Sequence, residues 1–131
     1  MDVRRAVGLV EQVRVIVVLR GEFGPSVALA TAETLMAEGF SVIEFTTNSA
    51  EPFAAMQAVK RALGDHASVG MGTVLDVETA QRSLNAGADF VVSPAFQPEV
   101  VETVQAADVL MVPGVLTPTE AIHAWNMGVP L

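Results

Sequence analysis

Val42-Ile43-Glu44-Phe45-Thr46 and Ser68-Val69-Gly70-Met71, with residues 47–67 between them, decide the fold. The first stretch is rich in β-branched and aromatic residues and reads as a buried strand. Asn48-Ser49 begins a turn. Glu51-Pro52 suits the first turn of a helix, because proline lacks the N–H that a first turn leaves unpaired and an acid there complements the helix dipole. That helix runs to Leu63 and stops at Gly64. Ser68 to Met71 then reads as the next strand. A strand, a helix and a strand in this order imply a parallel pair joined by a right-handed crossover.

The same unit repeats in both directions. Upstream, Val15-Ile16-Val17-Val18-Leu19 reads as a strand. Gly21, Gly24 and Pro25 break it, and Ser26 is placed to cap a helix from Val27 to Glu38 that ends at Gly39. Downstream, a helix from Leu75-Asp76 ends near Ala86-Gly87. Phe90 to Val92 is a strand broken by Ser93-Pro94, and a helix follows from Pro98 to about Ala106. Val109 to Val112 is a strand ended by Pro113-Gly114, and Pro118 to Met127 is a helix. After Gly128, Val129-Pro130-Leu131 reads as the opening of a sixth strand. Gly39, Gly64, Gly87 and Gly128 each stand between a helix and the next strand. Their spacing is one or two units of about 20–25 residues, the signature of a repeated βα element.

No linker or low-complexity stretch interrupts the pattern, so residues 1–131 are expected to form a single domain. Strict alternation fits either an open doubly wound α/β sheet or a (β/α)8 TIM barrel. The first βα loop lacks the glycine fingerprint of a dinucleotide-binding sheet. The units are short and even, and polar residues recur after every strand, as they do where a barrel assembles its site from all its βα loops. The expectation is therefore a TIM barrel of which this chain covers about the first five βα units, incomplete at the C-terminal side.

Composition narrows the function. The chain carries a net charge of −8 with only seven Lys and Arg residues, which repels phosphate backbones and argues against nucleic acid. It has no cysteine, so neither a disulfide framework nor a thiolate metal site is expected. The N-terminus lacks the apolar core of a signal peptide, and the run Val15 to Leu19 is too short to span a bilayer. The expected address is the cytoplasm, without membrane contact. A high share of Ala, Val and Leu suits helices packed on both-face-buried strands.

Several residues stand out chemically. Glu44 lies inside an apolar strand, where a carboxylate is costly unless it is paired or protonated, and where burial raises its pKa toward the range useful for proton transfer. The competing reading is a structural ion pair with Arg20 or Arg14. Arg20 directly follows the first strand and could grip a carboxylate bidentately; it could equally be a salt bridge or a solvated loop charge. Gly70 and Gly72 at alternate positions allow a ligand or another backbone to come close, with the Thr73 hydroxyl beside the gap. A bulge or a crowded barrel corner explains the same glycines. Ser93-Pro94 and Pro113-Gly114 lie just past strands and either line a mouth or simply turn the chain. His66 and His123 have no metal-ligand spacing, so no metal is expected. Trp125 reads as a core or interface anchor. Lys60, the only lysine, falls on the polar face of a helix, the wrong place for a Schiff-base nucleophile.

Val17-Val18-Leu19-Arg20-Gly21, Val42-Ile43-Glu44-Phe45-Thr46, Val69-Gly70-Met71-Gly72-Thr73-Val74-Leu75, Val92-Ser93-Pro94 and Val112-Pro113-Gly114-Val115-Leu116-Thr117-Pro118-Thr119-Glu120 occur in this order. Their order and spacing closely resemble the 2-keto-3-deoxy-6-phosphogluconate / 4-hydroxy-2-oxoglutarate aldolases, over nearly the whole chain. That resemblance implies a trimer-forming (β/α)8 barrel. It implies reversible cleavage of a 2-keto-4-hydroxy acid to pyruvate and an aldehyde through a lysine Schiff base, with no metal or other cofactor. Glu44 would be the general acid/base. Arg20 and Thr73 would hold the pyruvyl carboxylate, and Pro94 and Pro113 would shape the pocket. Some relatives carry Arg where this chain has Asn48; an Asn48-Ser49 pair resembles the 2-keto-3-deoxy-6-phosphogalactonate branch. The family's Schiff-base lysine belongs to the sixth strand and its phosphate-binding glycine loops follow strands seven and eight. Residues 1–131 hold neither, so these residues alone are expected to be inactive. Two other readings stay open: a shortened relative that only binds a ligand or partner, and another phosphate-handling barrel such as a thiamine-phosphate synthase-like enzyme.

Overall fold

The computed structural model describes residues 1–131. Helix α1 spans Val3–Val13, and strand β1 Val17–Leu19. Then come α2 Pro25–Ala37, β2 Val42–Thr46, α3 Pro52–Leu63, β3 Ser68–Gly72, α4 Val77–Asn85, β4 Phe90–Ser93, α5 Pro98–Ala106, β5 Leu110–Pro113 and α6 Pro118–Asn126. A single 3-10 turn, Gly64–His66, follows α3. The five strands are parallel and ordered β1-β2-β3-β4-β5, the sequential order of a barrel wall. A doubly wound sheet would instead have placed β1 inside.

Alternation along the strands divides the core in two. Ile43, Phe45, Val69, Met71, Val91 and Met111 pack under the helices. Val42, Phe90 and Leu110 point to the other side, where they bury Ala6 and contact Val3, Val7 and Val10 of α1. The amphipathic N-terminal stretch is thus a helix that covers the inner side of the sheet at the strand beginnings. Asp2 caps it, accepting from the Arg5 amide at 2.9 Å.

Some sequence expectations move. Ser26 does not cap α2: the helix starts at Pro25, with Gly24 as its N-cap, because the fixed φ of Pro25 already suits a first helical position. Val15 and Ile16 lie outside β1, and Ile16 packs instead against the α1 cluster. Val129-Pro130-Leu131 forms no strand; Val129 bonds back to the Ala124 carbonyl at 3.2 Å, and Pro130 has no amide to give a ladder. Trp125 is not a core residue, being 77% exposed on α6. The helix-ending glycines Gly39, Gly64, Gly87 and Gly128 all take positive φ, as the repeat required. The motif at Thr117 to Glu120 is a capping box: Glu120 accepts from the Leu116 and Thr117 amides, and Thr117 accepts from the Glu120 amide. No helix is long and apolar enough to cross a membrane.

Candidate active site

The parallel register carries the polar residues to one end of the sheet. Val18 pairs with Glu44, which pairs with Gly70; Thr46 pairs with Gly72 one row higher. Glu44, Thr46, Gly70 and Gly72 therefore share the inner face. Gly70 and Gly72 have no side chains there, and two neighbours fill the space. The Phe90 ring lies over Gly70, where a Cβ would come within 2.5 Å of it, and the Glu44 carboxylate lies over Gly72, where a Cβ would overlap it. The close approach expected of these glycines is thus made by two side chains.

Glu44 is 7% exposed. It forms no ion pair within 4 Å, so the structural-pair reading with Arg20 or Arg14 does not hold. Burial pushes its carboxyl above the ordinary glutamate value, and the positive charge of Arg20 pulls it back by less. Arg20 is held by two hydroxyls from neighbouring strand ends. Its Nε donates to Thr46 Oγ1 at 3.4 Å and its Nη2 to Thr73 Oγ1 at 3.3 Å. Glu44, Arg20 and Thr73 thus come together at one mouth.

Ser93-Pro94 and Pro113-Gly114 form the next part of the rim. The Gly114 amide donates to the Ser93 carbonyl at 2.7 Å, and a Cβ on Gly114 would come within 2.5 Å of the Pro94 carbonyl oxygen. Pro94 is exposed and Pro113 half-buried. Asn48 is exposed at the tip of the turn after β2.

Thr47, which the sequence did not single out, joins Thr46 at the end of β2 and Ser49 of the following turn in a set of hydroxyl contacts. Thr46 Oγ1 and Ser49 Oγ lie 2.9 Å apart, and Ser49 Oγ accepts from the Gly21 amide at 3.2 Å. Thr47 Oγ1 donates to the Thr73 carbonyl at 2.7 Å. A run of four small polar residues that begins on the last residue of a barrel strand, Thr46-Thr47-Asn48-Ser49, was the available signal.

Lys60 lies at the opposite end. Its Nζ pairs with the carboxylate of Asp89, the residue just before β4, and that carboxylate also accepts from the Val69 amide at 3.0 Å. Lys60 is therefore a buried-pair partner rather than part of a solvated helix face.

The chain can be set beside known proteins. The family model described as KDPG and KHG aldolase matches residues 8–130. A 2-dehydro-3-deoxy-phosphogluconate aldolase of Treponema pallidum is 37% identical over 119 residues, 91% of this chain and 56% of that protein. A probable 2-dehydro-3-deoxy-6-phosphogalactonate aldolase of Rhizobium meliloti is 33% identical over 113 residues, 86% of this chain and 53% of that protein. Among solved structures, KDPG aldolase from Legionella pneumophila, with pyruvate captured as a covalent carbinolamine intermediate, superposes with a TM-score of 0.79. It is 28% identical, with 86% of this chain and 54% of that chain covered. The chain spans about half the length of the curated relatives it matches. The family match spans nearly the whole chain, the sequential parallel strand order agrees with it, and the chain belongs to the KDPG and KHG aldolase family.

Proposed function

We propose that the protein carrying this chain is a class I aldolase that cleaves a 2-keto-4-hydroxy acid, such as a 2-keto-3-deoxy-6-phospho sugar acid, to pyruvate and an aldehyde. The observation that carries this reading is the desolvated Glu44 carboxyl beside Arg20 and Thr73 at the strand ends. A lysine amine attacks the C2 ketone, and loss of water gives an iminium. Glu44 takes the proton of the C4 hydroxyl, the C3–C4 bond breaks, the aldehyde leaves and the electron pair enters the iminium as an enamine. Protonation at C3 and hydrolysis then release pyruvate and the lysine. Burial moves this carboxyl upward from the ordinary glutamate value, the direction that lets one group both take and return a proton.

Arg20 and the Thr73 hydroxyl are assigned to the substrate carboxylate. Asn48, Pro94 and Pro113 are assigned to the pocket wall, with Asn48 in reach of the sugar-acid chain. The Schiff-base lysine comes from outside residues 1–131, because the single lysine within them is engaged by Asp89 at the far end of the sheet. The active protein is a cytoplasmic homotrimer in this reading. The test is borohydride reduction in the presence of pyruvate followed by peptide mass spectrometry. A pyruvyl adduct on a lysine outside residues 1–131 is expected; no adduct, or one on Lys60, overturns the reading.

A further inference from the structure

Thr73 is a β-branched residue held at φ 61°, in the left-handed region. There its branched Cβ crowds the neighbouring backbone, at a cost of about 1–3 kcal/mol that the surroundings must offset. The surroundings are specific. Thr47 donates its hydroxyl to the Thr73 carbonyl at 2.7 Å and its amide to the Gly72 carbonyl at 2.9 Å. On the far side the Val74 amide donates to the Val92 carbonyl at 3.1 Å. The hydroxyl of Thr47 is the only one of these three bonds made by a side chain.

The conformation has a consequence for the neighbouring strand end. It places Thr73 Oγ1 at 3.3 Å from Arg20 Nη2, while Thr46 takes Arg20 Nε. Arg20 is exposed and rich in rotamers, so these two hydroxyls are what orient it. A Thr73 relaxed to negative φ would turn its carbonyl away from Thr47 and its hydroxyl away from Arg20.

We propose that Thr47 is a positioning residue: its hydroxyl holds Thr73 in the left-handed conformation and, through Thr73, sets the Arg20 guanidinium for the carboxylate of a 2-keto acid. The ligand class rests on the aldolase reading above; the conformational coupling does not. Thr47 touches no substrate in this scheme, so its loss weakens binding of the carboxylate and leaves bond cleavage at Glu44 intact.

The test compares Thr47→Val, which keeps the shape and removes the hydroxyl, with Thr47→Ser, which keeps the hydroxyl. Both are made in the protein carrying this chain. Thr47→Val should raise KM for 2-keto-3-deoxy-6-phosphogluconate about fivefold or more with kcat within about twofold, as expected for loss of one hydrogen bond acting on ground-state binding. Thr47→Ser should stay within about twofold of wild type in both. A crystal structure of the Val variant should show Thr73 at negative φ and the hydrogen bond from Arg20 to Thr73 broken. If Thr47→Val does not fold, Thr47→Ala removes the same hydroxyl with less bulk and carries the same expectation. An unchanged KM, a fall in kcat alone, or a serine variant as impaired as the valine one overturns the proposal. A wild-type protein that cleaves no 2-keto-4-hydroxy acid defeats the aldolase reading instead. The two variant structures then decide the coupling: Thr73 still at positive φ in the valine variant overturns it, and Thr73 relaxed there but held in the serine variant upholds it.

Discussion

The carboxylate of Glu44 lies across the backbone of Gly72, in the space where any other residue would carry its Cβ. Gly70, two residues earlier on the same face, is covered by the Phe90 ring. The two glycines therefore have different duties. A methyl at Gly72 meets the end of a flexible side chain, which can swing away. A methyl at Gly70 meets a rigid ring that is wholly buried.

This contrast separates stability from function. Gly70→Ala overpacks the inner cluster and should lower unfolding free energy by about 1–3 kcal/mol. Gly72→Ala should cost little stability but push Glu44 out of place, lowering aldol cleavage about tenfold or more. Denaturant unfolding and steady-state turnover of both variants check this. A Gly72→Ala protein with wild-type turnover would show that the Glu44 position does not matter.

Glu44 itself couples activity to stability. Its folded-state pKa is raised by burial, against a smaller opposing pull from Arg20. A carboxyl raised on folding adds stability that is complete below its unfolded pKa and is lost as pH climbs through the folded value. Glu44→Gln removes that loss. The glutamine variant should therefore gain on wild type in urea midpoint as pH rises from the ordinary glutamate value through the raised one, and hold that gain at neutral pH. Its aldol cleavage should fall about 100-fold, as for loss of a positioned acid/base. A midpoint difference independent of pH contradicts the burial argument; unchanged cleavage contradicts the catalytic one.

Much of this was readable in advance, and the limits have physical causes. β-branched runs and helix-ending glycines announced five βα units, because each unit needs a buried strand and a left-handed turn. Glu44 stood out because a charge in an apolar strand is costly. Its partner in space was not readable, since only the parallel register shows that the side chain leans over Gly72 rather than pairing with an arginine. Thr47 was missed for the same reason: its bond to Thr73 joins residues 26 apart in the chain. Ser26 was misread because a capping hydroxyl and a proline stood side by side, and the fixed φ of Pro25 prevailed. Lys60 was read as a solvated charge because nothing local marks Asp89 as its partner.

Asp89 is 1% exposed and accepts from the Lys60 ammonium, the Val69 amide and the N-terminal ammonium of Met1 at 3.1 Å. Asp89→Ala strands these donors at the base of the sheet and should destabilise the fold by about 3–5 kcal/mol, the range for breaking a buried pair from one side. Lys60→Met leaves the same carboxylate with two donors and should cost less. It should also leave borohydride trapping with pyruvate intact, since the pair lies at the opposite end from Glu44. Chemical denaturation measures the first effect and mass spectrometry the second. Loss of trapping in a folded Lys60→Met protein would reassign the nucleophile.

The last prediction concerns the two outer strands. β1 and β5 each pair on one side only. Near β5, Leu116 is 95% exposed, Trp125 77%, Ile122 59% and Val115 46%. Pro113, Val115, Trp125 and Val129 line an apolar hollow there. On the β1 side Val15, Val18 and Val27 are exposed. An open parallel edge with an apolar flank offers unpaired backbone groups and a surface that water solvates poorly, the combination that drives strand-to-strand association. Residues 1–131 expressed as a separate polypeptide should therefore associate as concentration rises into the micromolar range. Trp125, the single tryptophan, reports the event. Its emission should be that of a water-exposed indole in dilute solution and shift to shorter wavelength on association, in step with the mass seen by light scattering. Replacing Leu116 and Ile122 with lysine should delay both signals, by weakening the apolar contact and adding charges that must be desolvated on association. A monodisperse polypeptide with unshifted Trp125 emission at high concentration would mean that the flank is stable in water, and that no further layer is needed against β5 and α6.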